Sequence, residues 1–238
     1  KGIPNYQIWH SNSDSSQGQS LDLNHISLSK IHIEYSDAKS NLHISALALQ
    51  TELNGTIENG IFNAQINGDF ETDFINLRQN KYLENKILST WVSLDVGKQK
   101  TSFNGSTQTN DLELKFNGTV KNGYNINVSG TDLDIKTFLH YVPKTFLSSI
   151  QSYQFDGTAD LNINIKNQKT TKLPATINAD FNIKNGSMQS NLPWQIKGAE
   201  LQGVYHNGEE RNNINSTISL QYINCQLNGK DLKGSLTY

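Results

Sequence analysis

Any chemistry done by this chain must come from a short set of reactive side chains, and their spacing argues against most of it. Histidines stand at His10, His25, His32, His43, His140 and His206, scattered without the short intervals that gather ligands round a metal. His32 and His43 could meet across a hairpin, yet both fall on the polar phase of their strands and read as exposed side chains. Cys225 is the single cysteine, so it forms no internal disulfide, and no Cys-His nucleophile pattern surrounds it. No G-x-S-x-G, phosphate loop or dinucleotide fingerprint occurs. Asp132 and Asp134 read as acids at a helix start, and Glu209-Glu210-Arg211 as a solvated loop. The expectation is a protein that binds rather than catalyses, with no metal and no cofactor.

Charge narrows the partners. Twenty Lys and Arg face 22 Asp and Glu, with no long basic run, so the cation cluster needed for counterion release on nucleic acid is missing. Only 35% of residues are hydrophobic, and mean hydropathy is −0.57. A core sealed on all sides would be thin. No apolar run reaches the roughly 18 to 20 residues that span a bilayer. The opening Lys1-Gly2-Ile3-Pro4 reads like a piece of a longer protein, whose export signal or anchor is expected outside this stretch.

The elements that would position a binding surface are strands. Ile31, Ile33 and Tyr35 alternate with His32 and Glu34, and Leu42, Ile44 and Ala46 follow after a polar turn. Phe62, Ala64, Ile66, Gly68, Phe70, Thr72 and Phe74 hold one phase. Leu112-Leu114-Phe116, Ile126-Val128, Leu161-Ile163-Ile165 and Ile177-Ala179-Phe181-Ile183 repeat the pattern. Strict alternation gives each strand one dry and one wet side, as in an antiparallel sheet with one apolar face.

Asn-Gly pairs sort by phase. Asn59-Gly60, Asn122-Gly123, Asn185-Gly186 and Asn207-Gly208 fall between alternating runs and predict hairpin turns. Gly55, Gly68, Gly105, Gly118, Gly130, Gly157, Gly203 and Gly229 instead fall on the dry phase. There they lower the resistance to coiling toward that face, and the gaps could also leave room for a ligand. The sequons at Asn54, Asn104, Asn117, Asn127, Asn185 and Asn215 read as accidents of an Asn-rich composition. One stretch is helical in period: Ile135, Phe138, Leu139, Val142, Phe146, Leu147 and Ile150. Thr131, three residues before Asp134, suggests a cap, and Pro143 divides the segment. One or two short helices are expected, packed against the sheet or plugging an end of it.

The order of these signals resembles the AsmA-like family of Gram-negative envelope proteins. The residues that carry the likeness are Ile31-His-Ile-Glu-Tyr-Ser-Asp37 and Leu133-Asp-Ile-Lys-Thr-Phe-Leu-His-Tyr-Val-Pro143. They are followed by Leu147, Tyr153, Gly157, the strand Leu161–Ile165, and Leu173-Pro174 running on to Asn185-Gly186-Ser187. The resemblance spans about residues 20–238 and matches the family's C-terminal region. It implies a periplasmic protein held at the inner membrane by an anchor in the full-length parent. It further implies an elongated, strongly curved antiparallel β-sheet, shaped as a groove, that carries phospholipid between the inner and outer membranes. Phospholipid or another acyl-chain lipid is the implied ligand, and outer-membrane proteins are candidate partners. The family supplies no catalytic residue to carry over.

The expected organisation is a flexible segment over 1–20 and a single β-domain over 21–238, with a helical insertion at 133–152. The dry phase supplies the candidate lipid contacts: Ile31, Ile33, Leu42, Ile44, Phe62, Ile66, Phe70, Leu112, Leu114, Phe116, Ile126, Val128, Leu161, Ile163, Ile165, Ile177, Phe181 and Ile183. Alternation alone also fits a closed sandwich, a structural or interaction domain aiding outer-membrane assembly without conducting lipid. In-strand glycines and the low apolar fraction favour the open form.

Overall fold

The computed structural model describes residues 20–37, 42–77, 80–109, 111–142, 152–168, 173–190, 193–211 and 214–238. The strands are β1 (Ser20–Asp37), β2 (Leu42–Glu58), β3 (Ile61–Leu77), β4 (Asn80–Tyr82), β5 (Lys86–Val96), β6 (Thr101–Gln108) and β7 (Glu113–Lys121). They continue as β8 (Gly123–Asp134), β9 (Tyr153–Gln168), β10 (Thr176–Ser190), β11 (Ile196–His206), β12 (Thr217–Leu227) and β13 (Lys230–Thr237), with helix α1 (Ile135–Leu139) after β8. All belong to one antiparallel sheet of 13 strands, in the order β1-β2-β3-β5-β6-β7-β8-β9-β10-β11-β12-β13, with β4 on β3. The sheet curls into an open groove and is not closed into a barrel. Apart from the short β4, which leaves β3 paired with β5, sequence neighbours pair along the whole path, as antiparallel strands can without long crossovers. The eleven spacings of that path, at about 4.8 Å each, make a ribbon on the order of 50 Å wide.

Two tight turns have the chemistry the sequence predicts for Asn-Gly. Asn59 and Gly60 take φ of 52° and 76° between the paired residues Glu58 and Ile61, the double left-handed geometry of a type I′ hairpin. Asn122-Gly123 joins β7 to β8, whereas Asn207-Gly208 opens the longer connection from β11 to β12 and is not a tight hairpin turn. The other assignments change. Asn185-Gly186 lies inside β10 at a register shift rather than in a turn. Gly229, expected on the dry face, forms the β12–β13 turn with Asn228, at φ of 77° and 50°.

Bulges set the curvature. Register shifts interrupt β1 near His25, β8 near Asp132 and β10 near Asn185. These three residues take φ of 53°, 50° and 51°. A bulge frees a backbone N–H from the ladder, and here each one finds an outward acceptor on the next strand. His25 N donates to Asn54 Oδ1 at 2.8 Å, Asp132 N to Asp160 Oδ1 at 3.0 Å, and Asn185 N to Glu200 Oε1 at 2.9 Å. Lys184 Nζ then joins Asp132 and Asp160, at 3.1 and 2.9 Å. The Asp132 amide and Lys184 hold the Asp160 carboxyl below its ordinary pKa, and the two carboxylates raise that of Lys184.

Helix α1 starts later than the Thr131 cap suggests. Asp134, not Thr131, caps α1 by accepting from Thr137 N at 2.7 Å, while Thr131 still belongs to β8. Residues 143–151 of the expected helical insertion and 1–19 of the expected flexible segment 1–20 lie outside the described residues, while Ser20 opens β1. After α1, Tyr141 Oη donates to Thr109 Oγ1 at 3.0 Å, and its ring lies 4.9 Å from Lys86 Nζ. The segment thus reaches back from β8 to the ends of β5 and β6.

In-strand glycines have a packing reason. Phe116 stands opposite Gly105, Phe103 opposite Gly118, and Phe181 opposite Gly203. In each case the ring lies over the glycine, so an added Cβ would meet it at 2.8, 2.6 and 2.5 Å. The gaps are therefore filled by rings from the paired strand, not left for a ligand. This is the arrangement in which an aromatic side chain covers the bare backbone of a strand glycine. A valine at Gly203 would also approach Ser219 O. Gly203→Val is expected to destabilise the sheet by about 1–3 kcal/mol in urea unfolding, with a smaller loss in a Phe181→Ala background. Equal losses in both backgrounds would show that the ring does not fill the gap.

Candidate functional site

Directly paired residues share a face, so the register traces one surface across the sheet. From the β2 side, Leu53, Ile66, Val92 and Gly105 follow each other strand to strand, then Phe116, Val128, Ile163, Ala179 and Tyr205. Ile218 continues the row on β12. Between β3 and β12, away from strand ends, this lining face carries aliphatic, aromatic, alanine, glycine and threonine residues, with Met188 and Cys225. Seventeen of the eighteen sequence-predicted contacts fall on it, and Leu112 lies just before β7, outside the paired register.

Their exposure is what a single layer dictates. Fifteen of the eighteen are part-exposed, Ile31 and Ile33 are exposed, and Leu112 is buried. The buried apolar side chains are mostly small, namely Ala46, Ala48, Ala64, Ala199 and Cys225, with Leu88, Leu112 and Leu133 the larger ones. Phe and Ile residues in a closed sandwich would be covered by an opposing sheet, and here no second sheet is present among the described residues. Leu112 departs from the expected open lining: it is buried just before β7, where its carbonyl accepts from the Thr109 N–H at 2.8 Å. The lining is most exposed where the ladder stops, with Tyr35 at 53% on β1 and Leu236 at 56% on β13.

Several lining residues escape the sequence pattern. Leu88, Val92, Leu94 and Val96 line the face from β5, but Ile87 and Trp91 on the opposite phase blur the alternation. On β12, a register shift between Leu220 and Ile223 moves the lining from even to odd positions. Phe74 goes the other way. A bulge beside Thr72 pairs it with Ser45, and its ring meets His43 edge-on at 5.1 Å, on the outer face.

That outer face explains the asparagines. Asn104, Asn117, Asn127, Asn164 and Asn178 stand opposite one another on successive strands. Asn127 Nδ2 donates to Asn117 Oδ1 at 3.0 Å, and Asn164 Nδ2 to Asn127 Oδ1 at 2.7 Å. Three of these residues head sequons, so the sequons belong to an amide ladder.

A serine, a histidine and an aspartate also meet there, on β1 to β3. His32 Nε2 lies 3.0 Å from Asp73 Oδ2 and 3.2 Å from Ser45 Oγ, and Ser45 Oγ donates to the same carboxylate oxygen. A proton relay needs one imidazole nitrogen on the serine and the other on the acid. Here a single nitrogen serves both, and the hydroxyl is already committed. The cluster ties edge strand β1 to β3. His43 bonds Glu34 at 3.3 Å and does not meet His32. Among the described residues no group of His, Cys, Asp or Glu is arranged to hold a metal ion, and no helix is long and apolar enough to cross a membrane.

No protein-family model matches the chain, and no significant match is found among curated proteins or solved structures.

The tether has a pH signature. Ser45, then His32, hold the Asp73 carboxyl below its ordinary pKa. A depressed carboxylate contributes stability that is present above its unfolded-state pKa and lost as pH falls through the lower folded value. Carboxyl NMR titration should therefore place Asp73 below ordinary aspartates and shift it upward in Ser45→Ala. An unchanged titration would show that the hydroxyl does not stabilise the charge.

Proposed function

We propose that the chain is a lipid-carrying groove module of the AsmA-like kind, whose lining face holds acyl chains and contributes to phospholipid transport between the inner and outer membranes. The observation that supports this reading is a continuous apolar face on an open sheet, with its large side chains left partly uncovered. Contiguous exposed apolar surface on this scale marks an interaction site rather than an ordinary exterior. Each buried CH₂ contributes roughly 0.8 kcal/mol, so a long acyl chain could gain on the order of 10 kcal/mol before association costs. An open groove recovers part of that, which suits passage better than storage. The lining offers no ionised group away from the strand ends, so recognition rests on the chains and the headgroup stays in water.

The resemblance gives the setting: the periplasm, an inner-membrane anchor in the full-length parent, and outer-membrane proteins as candidate partners. The segment around Tyr141 would restrict one end of the groove.

Ile163 lies mid-lining, opposite Val128 and Ala179. Protein purified from cells is expected to carry phospholipid in native mass spectrometry. Ile163→Asp should lose that lipid while keeping its far-UV circular dichroism, because a part-exposed site lets the carboxylate reach water. Lipid-free wild type would remove the basis of the proposal. Unfolding of Ile163→Asp would point to a sealed interior instead.

A further inference from the structure

The outer face holds a site that the groove does not use. A concavity of about 450 Å³ opens over β2, β3, β5, β6 and β7, around Trp91. Its residues form two rows by register. Trp91 stands between Asn67 and Ser106, and in the next row Ser89 stands between Asp69 and Gln108. Outward positions on this sheet are mostly polar, with exceptions such as Ile87 and Phe74, and the indole of Trp91 there stays 39% exposed.

The surrounding chemistry is specific. Gln50, Asn67 and Gln108 present amides that both donate and accept. Glu52, Asp69 and Glu113 add carboxylate acceptors, and no lysine or arginine lines the concavity, although Lys115 borders it opposite Ser106. Ser89 Oγ donates to Asp69 Oδ1 at 2.7 Å, which fixes that carboxylate. Neither Glu52 nor Glu113 meets a cation among the described residues.

A flat apolar ring amid amides and carboxylates is complementary to a molecule with C–H faces and a rim of hydroxyls. The ring covers the apolar face of a sugar. The carboxylates accept O–H donors in short, strong hydrogen bonds, while repelling anionic ligands. We propose that the Trp91 concavity binds an uncharged glycan chain on the outer face of the sheet, independently of the groove.

A glycan array probed with the whole chain, followed by calorimetry with an N-acetylglucosamine tetramer, maltotetraose, a sulfated tetrasaccharide and tetralysine, tests this. At least one uncharged glycan on the array should bind, and no sulfated one. Its affinity should fall about tenfold or more in Trp91→Ala, a loss of roughly 1.4 kcal/mol, and be largely kept in Trp91→Phe. Circular dichroism and lipid content should stay unchanged in both variants. Absence of any uncharged glycan binding, or binding indifferent to Trp91→Ala, would overturn the assignment. So would binding of tetralysine alone that vanishes in salt, which would make this a cation site.

Discussion

Among the described residues every strand is held by the backbone ladder of the strands beside it, with no opposing sheet. That constraint governs the rest. A sheet with one dry face normally buries it against another element. Here the same face stays partly open along its length, so cohesion has to come from within the ribbon, as in other quasi-one-dimensional folds. Long strands serve this need, with β1, β2 and β3 of 18, 17 and 17 residues. The outer-face asparagine ladder and the carboxylates that receive the bulge amides do the same, adding lateral links where a second sheet would add packing.

The two faces divide the work. On the lining face, phenylalanines lie across strand glycines, which lets the sheet curl without leaving holes in its own surface. On the outer face, polar side chains satisfy backbone groups that the bulges release. Curvature is thus set on one side and secured on the other. Substitutions on the two faces should differ in kind: lining changes alter what the groove can hold, and outer changes loosen its shape.

Much of this was legible in the sequence, and the misses share one cause. Alternation located the lining because a half-buried strand repeats every second residue, and all the candidate positions but Leu112, which precedes β7, lie on that face. What alternation cannot see is a bulge. The lining positions on β1 run Leu21, Leu23, then Ile26, Leu28, then Ile31, Ile33, Tyr35, a pattern that reads as broken until the partner strand is known. The same effect placed Phe74 on the wrong face and turned Asn185-Gly186 into a false hairpin. Asn-Gly tolerates positive φ equally in a turn and in a bulge, so the dipeptide alone does not separate them. The ladder of asparagines was visible only as composition, because its order depends on the pairing register of successive strands. The Trp91 concavity had no linear signal, since it gathers residues from five strands.

Hydroxyl-radical footprinting of delipidated, monomeric protein tests the open lining most directly. Phe116, Ile165 and Phe181 should be oxidised in the native state at rates approaching those of exposed residues, well above Leu133, which is 3% exposed. If these three were protected as strongly as Leu133, the lining would be sealed and the groove account would be wrong.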